Sequence, residues 1–292
     1  MLTGSIIGDI KWQFRYGNMV IKLIFVNIAV FLFFGLLNVI AFLSQQPSFH
    51  AFYSFLIGKV EAYAYLPVLL YQPWSVFTYM FLHENLFHIL FNMLALYWFG
   101  DIFILYLGDK KILPVYIIGG LTGALFYILA FNFIPVFKPM IGSPMLGASA
   151  SIFAIVFAAV ALNPDHEIGL VLFGNVKIKF VALVLLLLGI LTIPFDNAGG
   201  TISHIGGAFA GYFYIIALRG GFDPVSSLTN LFKRKPKVKV TYKNTEARTG
   251  NPNPRSKGEQ EKVDEILDKI ARSGYDSLSK EERDFLFNYS KK

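Results

Sequence analysis

Of 292 residues, 55% are hydrophobic and only 15% charged, with a mean hydropathy of +0.54. A soluble domain carries about 25% charged residues, so composition excludes a water-soluble globular fold. The net charge of +7 resides mostly in residues 223–292, which hold 16 Lys/Arg against 11 Asp/Glu, so the pI of 9.3 does not indicate a nucleic-acid-binding fold. The chain has no cysteine, which excludes disulfides, thiol catalysis and thiolate metal sites.

Residues 1–17 read as a cytoplasmic N-terminus without the short apolar core and small-residue cleavage site of a signal peptide, so the first apolar block is expected to be retained. Apolar blocks long enough to cross a bilayer place spans at 18–43, 85–104, 112–134, 148–163, 177–195 and 199–218. The fourth is short and rich in small residues. Between the first two lies a long loop, 44–84, whose aromatic and aliphatic pieces suggest interfacial helices lying in the membrane surface. Lys and Arg distribute unevenly between the two sides. Lys11, Arg15, Lys110, Lys111, Lys177, Lys179 and Arg219 fall on one side, and only Lys59 and Lys138 on the other. The positive-inside rule then puts both termini in the cytoplasm and the 44–84 loop outside.

Residues 221–258 form a basic juxtamembrane segment and linker. The run Leu231 to Lys243 suits anionic lipid head groups or a solvated topology anchor, and 244–258 is rich in Asn, Pro, Gly and Ser. Residues 259–292 read as a small soluble helical hairpin. Val263, Ile266, Leu267 and Ile270 share one helix face, and a second helix starts at Ser279 with the S-x-x-E spacing of a capping box to Glu282.

Chemistry-bearing residues concentrate in three stretches. FLHENLFHILFN, Phe81 to Asn92, sets two histidines and a glutamate in an apolar run. Zinc proteases place histidines at i and i+4, about 40° apart on a helix. His83 and His88 are five apart, about 140° round a helix, so a metal site is not expected. Asn85 is a good N-cap and leaves His83 in the loop. His88 and Asn92 share a face and either stabilise an oxyanion or bond neighbouring helices.

MLGASASIFA, Met145 to Ala154, opens the fourth span with Gly147, Ala148, Ser149, Ala150 and Ser151, all small. A serine in a first helical turn lies near free backbone N–H groups, although a simple packing patch fits the composition as well. SHIGGAFAG, Ser203 to Gly211, puts His204, Gly207 and Gly211 on one face, so a neighbouring helix can bring a serine to the imidazole. Phe153, four after Ser149, is placed to stack on that ring. Ser151 lies about 200° round the helix from Ser149.

HENLFHILFN, GASAS and SHIGGAFAG, in this order across six spans, resemble the rhomboid intramembrane serine proteases over about residues 15–220. The upstream QPWSVFTYMFLH is similar to that family's long first loop. The resemblance implies Ser149 as nucleophile and His204 as general base, a dyad with no acid. It implies an oxyanion hole of His88, Asn92 and the Ser149 N–H, with His83 structural in the loop. Nothing in the sequence argues that Asp196, the outside acid nearest the sixth span, orients His204. Two positions depart from the family pattern. Ala150 stands where Gly usually follows the nucleophile, a methyl expected to widen slightly the approach of the fourth and sixth spans, and Ser75 stands where Arg often follows the loop Trp.

The expected protein is thus an all-α polytopic membrane protein, a six-span rhomboid-like bundle at 18–220 with both termini inside. It needs no cofactor or metal and has no nucleic-acid partner. The resemblance implies a cell-membrane endopeptidase whose partners are single-pass membrane proteins and lipids, its site open to the extracytoplasmic side. Rival readings are an inactive rhomboid-like binder of membrane helices and a transporter. The intact Ser149, His204, His88 and Asn92 oppose the first, and the absence of an inverted repeat opposes the second.

Overall fold

A computed structural model describes residues 5–170, 174–194, 197–225 and 254–290. The basic run 231–243, most of the expected linker and Asp196 lie outside the described residues. Helices follow one another as α1 (Ile6–Tyr16), α2 (Met19–Ser44), α3 (Pro47–Gly58), α4 (Leu66–Tyr71), α5 (Ser75–Thr78), α6 (Leu86–Leu107), α7 (Ile112–Phe133), α8 (Ser149–Leu162), α9 (Ile178–Thr192) and α10 (Ala198–Arg219). Four segments, Met19–Ser44, Leu86–Leu107, Asp109–Phe133 and Ala198–Arg219, are long and apolar enough to cross a membrane, while α8 and α9 are shorter apolar helices. All six fall where apolar blocks placed spans.

Helix α1 falls in the segment read only as a cytoplasmic N-terminus, although Ile6, Ile10 and Phe14 share one of its faces. It ends at Gly17, and Asn18 restarts the chain as the N-cap of α2, its side chain accepting from the Ile21 N–H.

The 44–84 loop folds into α3, α4, α5 and a 3₁₀ turn at Tyr79–Phe81. Polar side chains hold it together by bonding backbone carbonyls. Gln72 donates to Gly58, Trp74 Nε1 to Lys59 and Thr78 to Val60, each at 2.8 Å. Asn132 of α7 reaches the Ala64 carbonyl at 2.8 Å. Two residues of the loop, β1 (Ala62–Tyr63), pair antiparallel with β2 (Pro144–Met145), which leads into α8. A second pair, β3 (Glu167–Leu170) with β4 (Gly174–Lys177), links α8 to α9. There Asp165 pairs with Lys179 and Lys177 at 2.7 and 3.1 Å. These two pairs modify the all-helical expectation without changing the fold class.

Helix α8 is the centre of the bundle, packed against α6, α7, α9 and α10. Nine of its fourteen residues are buried. Its alanines permit this, because backbones approach only where side chains are small. A Cβ built on Gly119 of α7 would lie 2.3 Å from the Ala154 methyl, and one on Gly211 of α10 would lie 1.9 Å from the Ala154 carbonyl oxygen. At its far end the Arg219 guanidinium donates to the Ala161 and Leu162 carbonyls at 2.6 and 3.3 Å, satisfying groups that a helix C-terminus leaves free.

Met1–Lys233 forms one compact unit and Arg234–Lys292 a second. In the second, a helix over Pro254–Ser273 and another over Lys280–Tyr289 flank a 3₁₀ turn. The first begins inside the segment read as linker, since a proline at the first helical position costs nothing there. Val263 and Ile266 are buried as expected, whereas Leu267 is exposed. Ser279 and Glu282 form the anticipated capping box.

Candidate active site

Ser149 is the first residue of α8, and His204 lies in the second turn of α10. Their side chains meet: Ser149 Oγ and His204 Nε2 are 2.6 Å apart. The approach depends on Gly207, where a Cβ would sit 2.0 Å from the Ala150 carbonyl oxygen. No side chain other than hydrogen fits. Phe153 stacks on the imidazole, centroids 4.5 Å apart and planes within 9°, which restricts rotation of the ring. Among the described residues no carboxylate contacts His204.

His88 and Asn92 approach from α6. Asn85 caps that helix, its side-chain oxygen accepting from the His88 N–H at 2.9 Å, so the helix starts after His83 as its sequence implies. Gly147 adopts φ +129, a region that favours glycine, and a Cβ there would lie 3.0 Å from His88 Nε2. The turn before Ser149 thus rests directly against this imidazole. His88, Asn92, Ser149 and His204 line one cavity of about 900 Å³, with Phe153, Met145 and Leu146 among its walls.

His83 stays off the helix and outside that lining, its ring edge-on to His88 at 5.1 Å. Burial, then the neighbouring His88, push it down to about 4, with the Phe81 backbone acting the other way. Both causes favour the neutral ring beside a second imidazole.

Ser151 faces elsewhere. It is fully buried, its hydroxyl directed at Met80 Sδ at 3.8 Å, consistent with the 200° that separates it from Ser149. The Ala150 methyl does not widen the approach of α8 and α10. It faces Gly123 of α7, whose built Cβ would lie 2.6 Å from it, while α10 packs on the Ala150 carbonyl side. Glycine on a third helix accommodates the extra methyl. Ser75 is fully buried at the start of α5, too confined for the arginine that often follows this tryptophan.

Two features of the site were given no role by the sequence. Glu61 and Glu84 line the cavity. Burial raises the Glu61 carboxyl, and the Tyr63 hydroxyl, donating at 3.0 Å, opposes that shift. The second feature is Tyr79, whose carbonyl accepts from the Gly147 N–H at 3.0 Å, across 68 residues of chain.

A family profile described as Rhomboid domain matches residues 70–221, just over half the chain. The chain belongs to the rhomboid family. With its long apolar helices, this rhomboid is a membrane-embedded protein. A second profile, a family of unknown function (DUF6576), matches residues 253–292.

Relatives agree with the family assignment. RHOMBOID-like protein 12, mitochondrial, of Arabidopsis thaliana is 29% identical over 46% of this rhomboid and 43% of its own length. Presenilin-associated rhomboid-like protein A, mitochondrial, of Danio rerio is 29% identical over 60% and 43%. Rhomboid protease GluP of Bacillus subtilis is 32% identical over 50% and 26%. The chain spans less than half the length of each of these curated relatives.

Proposed function

We propose that this rhomboid is an intramembrane serine endopeptidase working through a Ser149–His204 dyad. The observation that carries the reading is the 2.6 Å contact between Ser149 Oγ and His204 Nε2 inside a cavity also lined by His88 and Asn92. That is nucleophile–base geometry with oxyanion donors alongside. A relative named as a rhomboid protease supports it.

In this mechanism Ser149 Oγ bonds to a peptide carbonyl carbon while His204 Nε2 takes its proton. The carbonyl oxygen becomes an oxyanion, which His88, Asn92 and the Ser149 N–H stabilise, at about 3 kcal/mol per donor in serine proteases. The C–N bond then breaks as His204 protonates the leaving amine. Water attacks the acyl ester, its proton passes to His204, and the Ser149 hydroxyl is restored. Phe153 keeps the imidazole in plane throughout, and Gly147, Gly207 and Gly211 supply the close approaches that hold the two helices in register.

Substrates on this reading are single-pass membrane proteins cut in or near their spans. Lys and Arg asymmetry orients the protein with both termini cytoplasmic and the cavity reached from the extracytoplasmic side of a cell membrane. Helix α8 rises only about 21 Å, against about 30 Å of hydrocarbon. A helix that short cannot reach both surfaces, and on this reading Ser149 lies below the outer one, with water reaching it through the cavity.

A serine-directed fluorophosphonate and a single-pass test substrate decide the matter in bilayer-reconstituted protein. Wild type and Ser151→Ala should label and cleave, and Ser149→Ala should do neither. Labelling and cleavage that survive in Ser149→Ala would overturn the dyad.

A further inference from the structure

Tyr79 and Met80 form a buried plug between the outer loop and the bundle. Both are essentially inaccessible, at 1% and 0% exposure. Their polar groups are exchanged with α7 in a reciprocal pattern. The Tyr79 hydroxyl donates to the Gly120 carbonyl at 2.6 Å, and the Tyr116 hydroxyl donates to the Met80 carbonyl at 2.7 Å. Asn27 of α2 extends the second arm, its amide 3.4 Å from the Tyr116 hydroxyl. The plug fits because α7 carries no side chain at its contact points. A Cβ on Gly120 would meet Met80 Cε at 2.5 Å, and one on Gly123 would meet the Tyr79 hydroxyl at 3.3 Å.

The two arms differ in what they hold beyond the plug. Tyr79 also accepts, through its own carbonyl, the N–H of Gly147 at 3.0 Å. Gly147 is two residues before Ser149 and lies against His88. One residue therefore links the rigid α7 backbone, through its side chain, to the turn that carries the nucleophile, through its main chain. Losing the hydroxyl's anchor on Gly120 frees the Tyr79 segment to shift as a unit, carrying its carbonyl away from the Gly147 N–H. That would let the Gly147–Ser149 turn drift from His88 while α8 itself stayed packed.

We propose that Tyr79 is a positioning residue, its hydroxyl on Gly120 fixing the carbonyl that holds the Gly147 turn, and with it the oxyanion donors, in place. The outer loop is thus part of the catalytic scaffold at this point. The proposal rests on the Ser149–His204 reading for its catalytic consequence, while its structural content stands independently.

Tyr79→Phe removes only the hydroxyl, and Tyr116→Phe removes the matched, equally buried arm that does not touch the nucleophile turn. In full-length protein in bilayers, Tyr79→Phe should lower kcat about tenfold, the worth of one buried hydrogen bond expressed in the transition state. KM should stay within about twofold, and fluorophosphonate labelling of Ser149 should slow in parallel. Backbone amide exchange over 145–150 should accelerate in Tyr79→Phe and remain at the wild-type rate in Tyr116→Phe. Unchanged kcat with unchanged exchange, or equal losses in the two variants, would overturn the positioning role. If wild type itself neither labels nor cleaves, the protease reading fails, and the exchange comparison still decides whether Tyr79 holds the turn.

Discussion

Helices α8 and α9 are neighbours of nearly equal length, 14 and 15 residues, and both are strongly apolar, yet their environments are opposite. Nine residues of α8 are buried, against Ile178 and Ala182 alone in α9. Leu183, Val184, Leu187, Leu188 and Leu191 of α9 face outward. Hydrophobicity does not separate them, since lipid tails are as apolar as leucine and give no drive for association. Side-chain size does. Helix α8 carries five alanines and two serines, whereas α9 carries six leucines. The helix that other backbones can reach became the centre, and Ser149 sits on it.

The contrast can be broken most severely where α10 packs on the first turn of α8. Gly207→Val would drive a side chain into the Ala150 carbonyl 2.0 Å away, separating α8 from α10. Activity should fall to background and stability by about 4 kcal/mol, the exceptional range reserved for such clashes, read by detergent-denaturation midpoint and fluorophosphonate labelling. A milder overpacking, Ala154→Leu against Gly119, should cost about 1–3 kcal/mol in the same titration and reduce cleavage. The smallest effect sharpens the comparison from the other side. Leu187→Ala, on the outward face of α9, should change the midpoint by no more than about 0.5 kcal/mol, although it removes as many side-chain carbons as Ala154→Leu adds. A large loss there would mean that α9 is held by packing in the way α8 is.

The same distinction explains what could be read from sequence. Apolar blocks marked all six bundle helices, because a bilayer imposes length and hydropathy directly. The meeting of Ser149 with His204 was assigned through the family resemblance; the residues alone permitted it, since Gly207 and Gly211 share a face with the histidine, but fitted a simple packing patch as well. Asn85 announced the start of α6 through cap chemistry. The Ala150 methyl was assigned to the wrong interface, since helix periodicity gives its direction but not which neighbour stands there. The pairing of Ala62–Tyr63 with Pro144–Met145 was invisible, because two residues establish no period. Side-chain bonds to backbone carbonyls, such as Trp74 to Lys59 and Tyr79 to Gly120, were equally silent, since every residue offers a carbonyl and none is marked as the partner.

Helix α8 is fastened at both ends by other elements, at Gly147 by the Tyr79 carbonyl and at Ala161 and Leu162 by Arg219. A span tied in this way has a fixed length. Inserting or deleting one residue between Ser149 and Leu162 would rotate everything beyond it by about 100°, so either the serine would leave His204 or the arginine would lose its carbonyls. Helix α2, most of whose surface faces outward, carries no such restriction. Bilayers of different thickness can therefore be accommodated by lengthening the periphery of this protein, while the helix that bears Ser149 keeps one permitted size.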